Sequence, residues 1–244
     1  MELCVIGNNG TCPQKDGACS SYLLTIDSGE RILIDAGNGS LSKLWHICDP
    51  AFLDAIIISH LHFDHMADLF AIRYLLESRK YYGEPIDPIR LYIPDMPEWM
   101  DAEIASSGVF DIVPIHDGKA EKIFGDIVSF ALVEHLIESY AVRIEADNRT
   151  FVYSGDSGMC TQLIEAAKNA DLFLCESTFL KEPVQPCNHH LSVEQAAQAA
   201  FSAGVSKLLL THFSEPQKAL EYASRARCIF QYTEASAILC CYDV

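Results

Sequence analysis

Apolar residues in this chain come in short blocks separated by Gly, Pro, Asn and Asp, the punctuation of a fold that alternates strands and helices. Residues 1–6 alternate enough for a strand, and 7–13 form a turn-rich loop. Residues 20–26 and 31–35 predict two strands joined by the turn Asp27-Ser28-Gly29-Glu30. A short helix over 40–48 precedes Ile56-Ile57-Ile58, whose three β-branched residues predict a buried strand. Leu69, Ile72, Leu75 and Leu76 recur at helical spacing and predict a helix over 68–80. Residues 81–88 are a breaker-rich connection. Residues 89–93 form a strand stopped by Pro94 and Pro97, and 94–108 has the composition of a loop that shapes a substrate pocket.

The second half repeats the alternation. Residues 127–133 predict a strand, 139–145 and 150–153 a strand pair around the turn 146–149, and 159–169 a helix. Leu172-Phe173-Leu174-Cys175 is a buried strand ending at Glu176. Ser192 and Gln195 have the form of a capping box that opens an alanine-rich helix to about Ala203. A strand over 207–211, a helix over 215–225 and tail strands in 228–230 and 237–241 complete the chain. No repeat, low-complexity segment or linker divides it. The expectation is one α/β (α+β) domain over 1–244, with two strand-rich blocks packed together and covered by helices.

The chemistry begins where the isoleucine run ends, in Ser59-His60-Leu61-His62-Phe63-Asp64-His65. Ionisable groups crowded beside a core cost free energy unless something pairs with them. A metal ion is the natural partner, because imidazole and carboxylate ligate zinc, iron and manganese. In extended chain His60 and His62 point to one side, while Asp64 and His65 come as the chain turns away. Further candidates stand at strand ends: His135, Asp156 between Gly155 and Ser157, and His212. Each alone suits a hydrogen-bonded surface residue equally well.

Composition narrows the function. Half of the 244 residues are hydrophobic, enough for a sizeable core, yet no stretch is long enough to span a membrane. The first residues lack the basic region of a signal peptide, so the cytoplasm is the default expectation. The formal net charge of −17 argues against long nucleic acid, whose binding depends on neutralising phosphates. Ten cysteines show no Cys-x-x-Cys spacing. They suggest neither a structural zinc site nor a disulfide framework, and most are expected to be reduced core fillers. Cys187 lies near His190 in sequence.

The order His-x-His-x-Asp-His over 60–65 resembles the signature of the metallo-β-lactamase superfamily of metal-dependent hydrolases. The resemblance implies a four-layer αβ/βα sandwich with the metals at one end of the paired sheets. Carried over position by position, His60, His62 and His135 hold one divalent ion, and Asp64, His65 and His212 hold the other. Asp156 bridges them, and Asp64 counts among the catalytic residues as well. Zinc is the default because histidine dominates, with manganese or iron suiting the same donors. A hydroxide shared by the two ions is the implied nucleophile. Asp35-Ala36-Gly37 matches a position beneath the metal site where an aspartate orients a ligand, or is an ordinary strand-ending turn.

Glu176-Ser177-Thr178-Phe179, His190-Leu191-Ser192 and Thr211-His212-Phe213-Ser214 resemble the ribonuclease Z-like phosphodiesterase branch. There a histidine, matched by His190 with His189 as the off-by-one alternative, donates a proton to the leaving oxygen, and Glu176 orients it. That branch's transfer-RNA-binding arm, between the positions of His135 and Asp156, is missing. The expected substrate is therefore a small anionic phosphodiester: a cyclic nucleotide, a cyclic sugar phosphate or a short oligonucleotide. Ester, lactone or thioester hydrolysis by the same site is the alternative. Transfer-RNA processing and a di-iron or non-catalytic metal protein rank below it. A homodimer is an open expectation.

Overall fold

The computed structural model describes residues 1–181, 183 and 189–244. Cys187 lies outside the described residues. The first sheet is built by β1 (Glu2–Gly7), β2 (Ser21–Thr25), β3 (Arg31–Ile34), β4 (Ala55–Ile57), β5 (Ile89–Ile93) and β6 (Phe110–Pro114). The second contains β7 (Ala120–Ile123), β8 (Asp126–Leu132), β9 (Tyr140–Ala146), β10 (Arg149–Tyr153), β11 (Leu172–Glu176), β12 (Lys207–Thr211) and β13 (Thr233–Ala235). The last strand, β14 (Cys241–Asp243), returns to the first sheet and pairs antiparallel with β1. Among the described residues the orders are β14-β1-β2-β3-β4-β5-β6 and β13-β12-β11-β10-β9-β8-β7, seven strands each. Pairing is antiparallel along one half of each sheet, and parallel from β3 to β6 and from β10 to β13.

Side chains alternate across each strand, and the alternation sorts the core into layers. Leu3 and Val5 of β1 join Leu172 and Leu174 of β11 in the cluster between the sheets. Their neighbours Cys4 and Ile6 face the opposite way, into the cluster under α1 (Ser40–Leu44), α2 (Phe63–Tyr81) and α3 (Glu98–Ala105). Phe173 and Cys175 face the cluster under α4 (Thr161–Ala166), α5 (Val193–Ala203) and α6 (Ala219–Ala226). Helix, sheet, sheet, helix: this is the expected αβ/βα sandwich. Among the described residues no helix is long and apolar enough to cross a membrane.

The capping box at α5 is present in both directions. Gln195 N donates to Ser192 Oγ at 3.3 Å, and Ser192 N donates to Gln195 Oε1 at 2.9 Å. Ser192→Ala is expected to cost about 1 kcal/mol, read as a lower urea midpoint at unchanged m-value.

Several elements differ from expectation. The helix α2 starts at Phe63, five residues before the predicted 68, because Asp64 and His65 break into the apolar spacing of its first turn. Residues 94–108, read as loop, contain α3, whose only buried positions are Met100 and Ile104. The strands β6 and β7 went unpredicted, and their burial is patchy because they lie on the outer edges of the sheets. The tail strands sit at 233–235 and 241–243 rather than 228–230 and 237–241. Three-residue strands are too short to show a period.

The cysteines also correct the sequence reading. Cys4 and Cys241, opposite each other on β1 and β14, form a disulfide. Of the other described cysteines only Cys19 and Cys175 are buried, while Cys12, Cys228 and Cys240 are exposed.

Candidate metal centre

Parallel β3 and β4 deliver their C-terminal ends to one place. Beyond β4 the chain bends at Ser59 and Leu61 and reaches His62, extended at the N-terminus of α2, so Asp64 and His65 fall in its first turn. Ser59 and His60 cross to the second sheet: Tyr140 N donates to Ser59 O at 3.1 Å, and His60 forms an isolated bridge with Ser139. That crossing brings up the loop after β8 with His135, the loop after β10 with Asp156, and the end of β12 with His212. The Asp156 loop turns at Gly155, with φ 60°, where a Cβ would lie 2.6 Å from Tyr140 O. His212 itself has φ 57°, as does Asp35. Non-glycine residues there cost roughly 1 kcal/mol or more and persist where the surroundings over-determine them.

All seven candidate ligands converge. His60, His62, His135 and Asp156 bring donor atoms within 4.8 Å of one another, and so do Asp64, His65, Asp156 and His212. Asp156 belongs to both sets. In the first, His62 Nδ1 lies 3.1 Å from His60 Nε2 and 3.1 Å from His135 Nε2. In the second, His212 Nε2 lies 3.3 Å from both His65 Nε2 and Asp64 Oδ2, and 3.4 Å from Asp156 Oδ2. His65 Nε2 lies 3.3 Å from Asp156 Oδ1. Bonds of about 2.0–2.1 Å arranged tetrahedrally separate donors by roughly 3.4 Å, so these spacings suit a zinc-sized ion.

The protons agree with the spacing. Ser59 Oγ gives its proton to Asp35 Oδ2 at 2.8 Å, so it accepts from His60 Nδ1 at 3.1 Å. Thr178 Oγ1 gives its proton to Glu176 Oε2 at 2.7 Å and accepts from His212 Nδ1 at 2.8 Å. His65 Nδ1 donates to Asp35 Oδ2 at 2.7 Å, and His135 Nδ1 donates to His189 O at 2.8 Å. In these four imidazoles, then, Nδ1–H points outward and Nε2 is the ring atom that faces the centre. Lone pairs about 3 Å apart repel unless a cation stands between them. Asp156 Oδ1 is also buried with no hydrogen-bond partner. The residues present fit a pair of divalent cations.

Electrostatics of the metal-free protein point the same way. Burial pushes His60, His62 and His135 below the usual imidazole range, so they favour the neutral, ligating form. Burial would also depress His65, but Asp156 and Asp35 hold it well above that range. A bound cation would take the place of that proton. Burial would raise Asp64 and Asp156; His212 and His65 hold both below the usual carboxylate range.

Glu176 and His190 stand beside the second set. Glu176 is fully buried, and its Oε1 lies 3.0 Å from His190 Nδ1 while accepting from Ser157 N at 2.9 Å. Its Oε2 accepts from Thr178 N at 3.1 Å and Leu191 N at 3.2 Å. The carboxylate is thus clamped with one oxygen on His190. His189 meets the site through its backbone oxygen.

Sequence reasoning left Thr178 without a role, although its hydroxyl joins Glu176 to His212. It also gave none to Tyr153, whose hydroxyl donates to Asp35 Oδ2 at 2.9 Å, or to Thr11, whose N donates to Asp64 Oδ2 at 2.7 Å. Thr178 lies two positions after Glu176, a local cue; the other two carry no cue. Asp35 accepts from Ser59, His65 and Tyr153 and is completely buried, which fits an orienting residue more closely than an ordinary turn. Two large apolar side chains next to ligands in the chain are exposed: Phe63, between His62 and Asp64, is 64% exposed, and Leu136, after His135, is 65% exposed.

Comparison with known proteins places the fold. The family model described as "Beta-lactamase superfamily domain" matches residues 30–213. An uncharacterized protein of Mycobacterium leprae is 35% identical over 224 residues, covering 87% of this chain and 77% of that protein. The probable metallo-hydrolase YhfI of Bacillus subtilis is 28% identical over 213 residues, covering 87% and 86%. The crystal structure of YhfI superposes with a TM-score of 0.91 at 25% identity, over 99% of this chain and 98% of that one. Human tRNase Z, short form, shares the fold, with a TM-score of 0.78 at 19% identity over 100% and 99%.

Proposed function

This chain belongs to the metallo-β-lactamase superfamily of metal-dependent hydrolases, and from that premise we propose that it is of ribonuclease Z-like type and hydrolyses a small phosphodiester at a binuclear centre. Two divalent cations of the zinc class, with manganese or iron as substitutes, would supply a water ionised at neutral pH and positive charge for the phosphoryl oxygens. His60, His62 and His135 would hold one, Asp64, His65 and His212 the other, and Asp156 would serve both.

The observation that carries the phosphodiester reading is the Glu176–His190 pair. Hydrolysis of a diester expels an alkoxide, which needs a proton. Glu176 Oε1 lies 3.0 Å from His190 Nδ1 and so orients the imidazole that would hand the proton over. A buried carboxylate also stabilises the imidazolium before transfer. Asp35, Ser59 and Thr178 keep the ligand rings in register. The exposed Phe63 and Leu136, chain neighbours of the ligands, would offer the organic substituent apolar surface.

Two features support a small substrate. The strands β9 and β10 are joined by a tight turn in which Asp147 and Asn148 both have positive φ, a primed hairpin turn with no room for an arm. The net charge of −17 repels a polyanion. Bis(p-nitrophenyl) phosphate, a lactone and a thioester assayed side by side on the zinc-loaded protein test the reading. Diester turnover is expected to exceed both others. Lactone or thioester turnover without diester turnover rejects it.

A further inference from the structure

We propose that the Cys4–Cys241 disulfide is a reversible dithiol-responsive modification site whose state sets the cation affinity of the Asp64/His65/His212 position. The inference rests on the metal centre described above and is independent of the substrate. Both cysteines lie outside the family-model match at 30–213.

The bridge joins residues 237 positions apart and pins β14, a three-residue edge strand, onto β1. So short an edge strand has little hold of its own. The segment leading into β14 straps both sheets. Ser236 N donates to Leu210 O of the second sheet at 2.9 Å, and Leu239 N donates to Val5 O of the first at 2.7 Å. Val5 N donates back to Cys240 O at 3.0 Å.

The strap then reaches the centre through Asn8. Asn8 Nδ2, buried, donates to Ser236 O at 2.9 Å and to Ser236 Oγ at 3.2 Å. Asn8 O accepts from Phe213 N at 2.8 Å, and Phe213 O accepts from Gly10 N at 3.0 Å. This weave holds the loop against two ligands. Thr11 N donates to Asp64 Oδ2, and at Gly10 even a Cβ would come within 2.9 Å of the His212 ring. Releasing the strap removes both acceptors of a buried amide two residues from Gly10.

The chemistry is thiol–disulfide exchange. A dithiol's thiolate attacks Cys241 Sγ, on the exposed partner, and the S–S bond breaks. Cys4 Sγ leaves with the electron pair and is protonated. The reductant's second thiol displaces Cys241, yielding two protein thiols and one oxidised reductant. Oxidation reverses the step.

Metal-free full-length protein, with the bridge intact or reduced by dithiothreitol and desalted anaerobically, is titrated with zinc against a chromophoric chelator. Amide hydrogen exchange is followed over residues 8–11 and 236–244. Losing an outer partner of a ligand typically costs roughly ten- to hundredfold in metal affinity; that loss is expected for one of two zinc equivalents, with faster exchange in both segments. Reoxidation should restore both. Cys4→Ser with Cys241→Ser should match the reduced protein and ignore dithiothreitol, while Cys240→Ser should respond like wild type. Equal zinc affinities in the two forms, a serine double variant that still responds, or an oxidised protein whose thiol count shows no bridge would each overturn the proposal.

Discussion

Asp156→Ala is expected to abolish hydrolysis, lowering kcat/KM by at least roughly 10³-fold, about 4 kcal/mol of transition-state stabilisation. No other candidate ligand lies in both donor sets. Its carboxylate is fully desolvated and surrounded by imidazoles, and burial opposes its ionisation while His212 and His65 enforce it. Removing it strips both cation positions of a shared anion. Metal binding to the folded state stabilises it by mass action, so the wild type should show a zinc-dependent rise in Tm that Asp156→Ala lacks. Loss of activity with an unchanged zinc-dependent Tm and full metal content would mean that Asp156 serves the reaction without holding the ions.

His190→Ala should separate two substrates rather than disable the protein uniformly. With a diester that expels a sugar or alkyl alkoxide, loss of the proton donor is expected to cost roughly 10²- to 10⁴-fold in kcat. With bis(p-nitrophenyl) phosphate, whose leaving group departs as a stable anion, the loss should be far smaller. Glu176→Gln should show the same leaving-group dependence in weaker form, because it frees the imidazole from its clamp without deleting it. Zinc content should be unchanged in both variants. Equal losses on the two substrates would remove His190 from proton transfer and leave it a binding residue.

Phe63 adds a smaller effect. Phe63 is held by the chain between His62 and Asp64, so Phe63→Ala should raise KM several-fold for diesters with aromatic groups and leave metal uptake alone. A change of kcat without KM would place Phe63 in positioning the ligands instead.

Much of the fold is legible because it is local. Residues such as Leu172 to Cys175, buried on both faces of a sheet, must be apolar throughout, and the capping box of α5 is written in four consecutive residues. The start of α2 is hidden because its first turn is occupied by Asp64 and His65, which face the metal centre rather than the core. The strand β6 and helix α3 are obscure because each buries only one or two side chains.

By itself, the chain order determined the contiguous half of the centre, since His60 to His65 are neighbours by covalent bonds and an extended chain already points His60 and His62 the same way. It also marked His135, Asp156 and His212 as side chains stranded at strand ends. Only the tertiary structure decided that these meet, that Thr178 and Asp35 set which ring nitrogens face the centre, and that Cys4 faces Cys241 across the whole length of the chain. Pairing of two sheets is a long-range event: it costs loop entropy, is driven by burial shared among dozens of residues, and leaves no signature at any one of the positions it brings together.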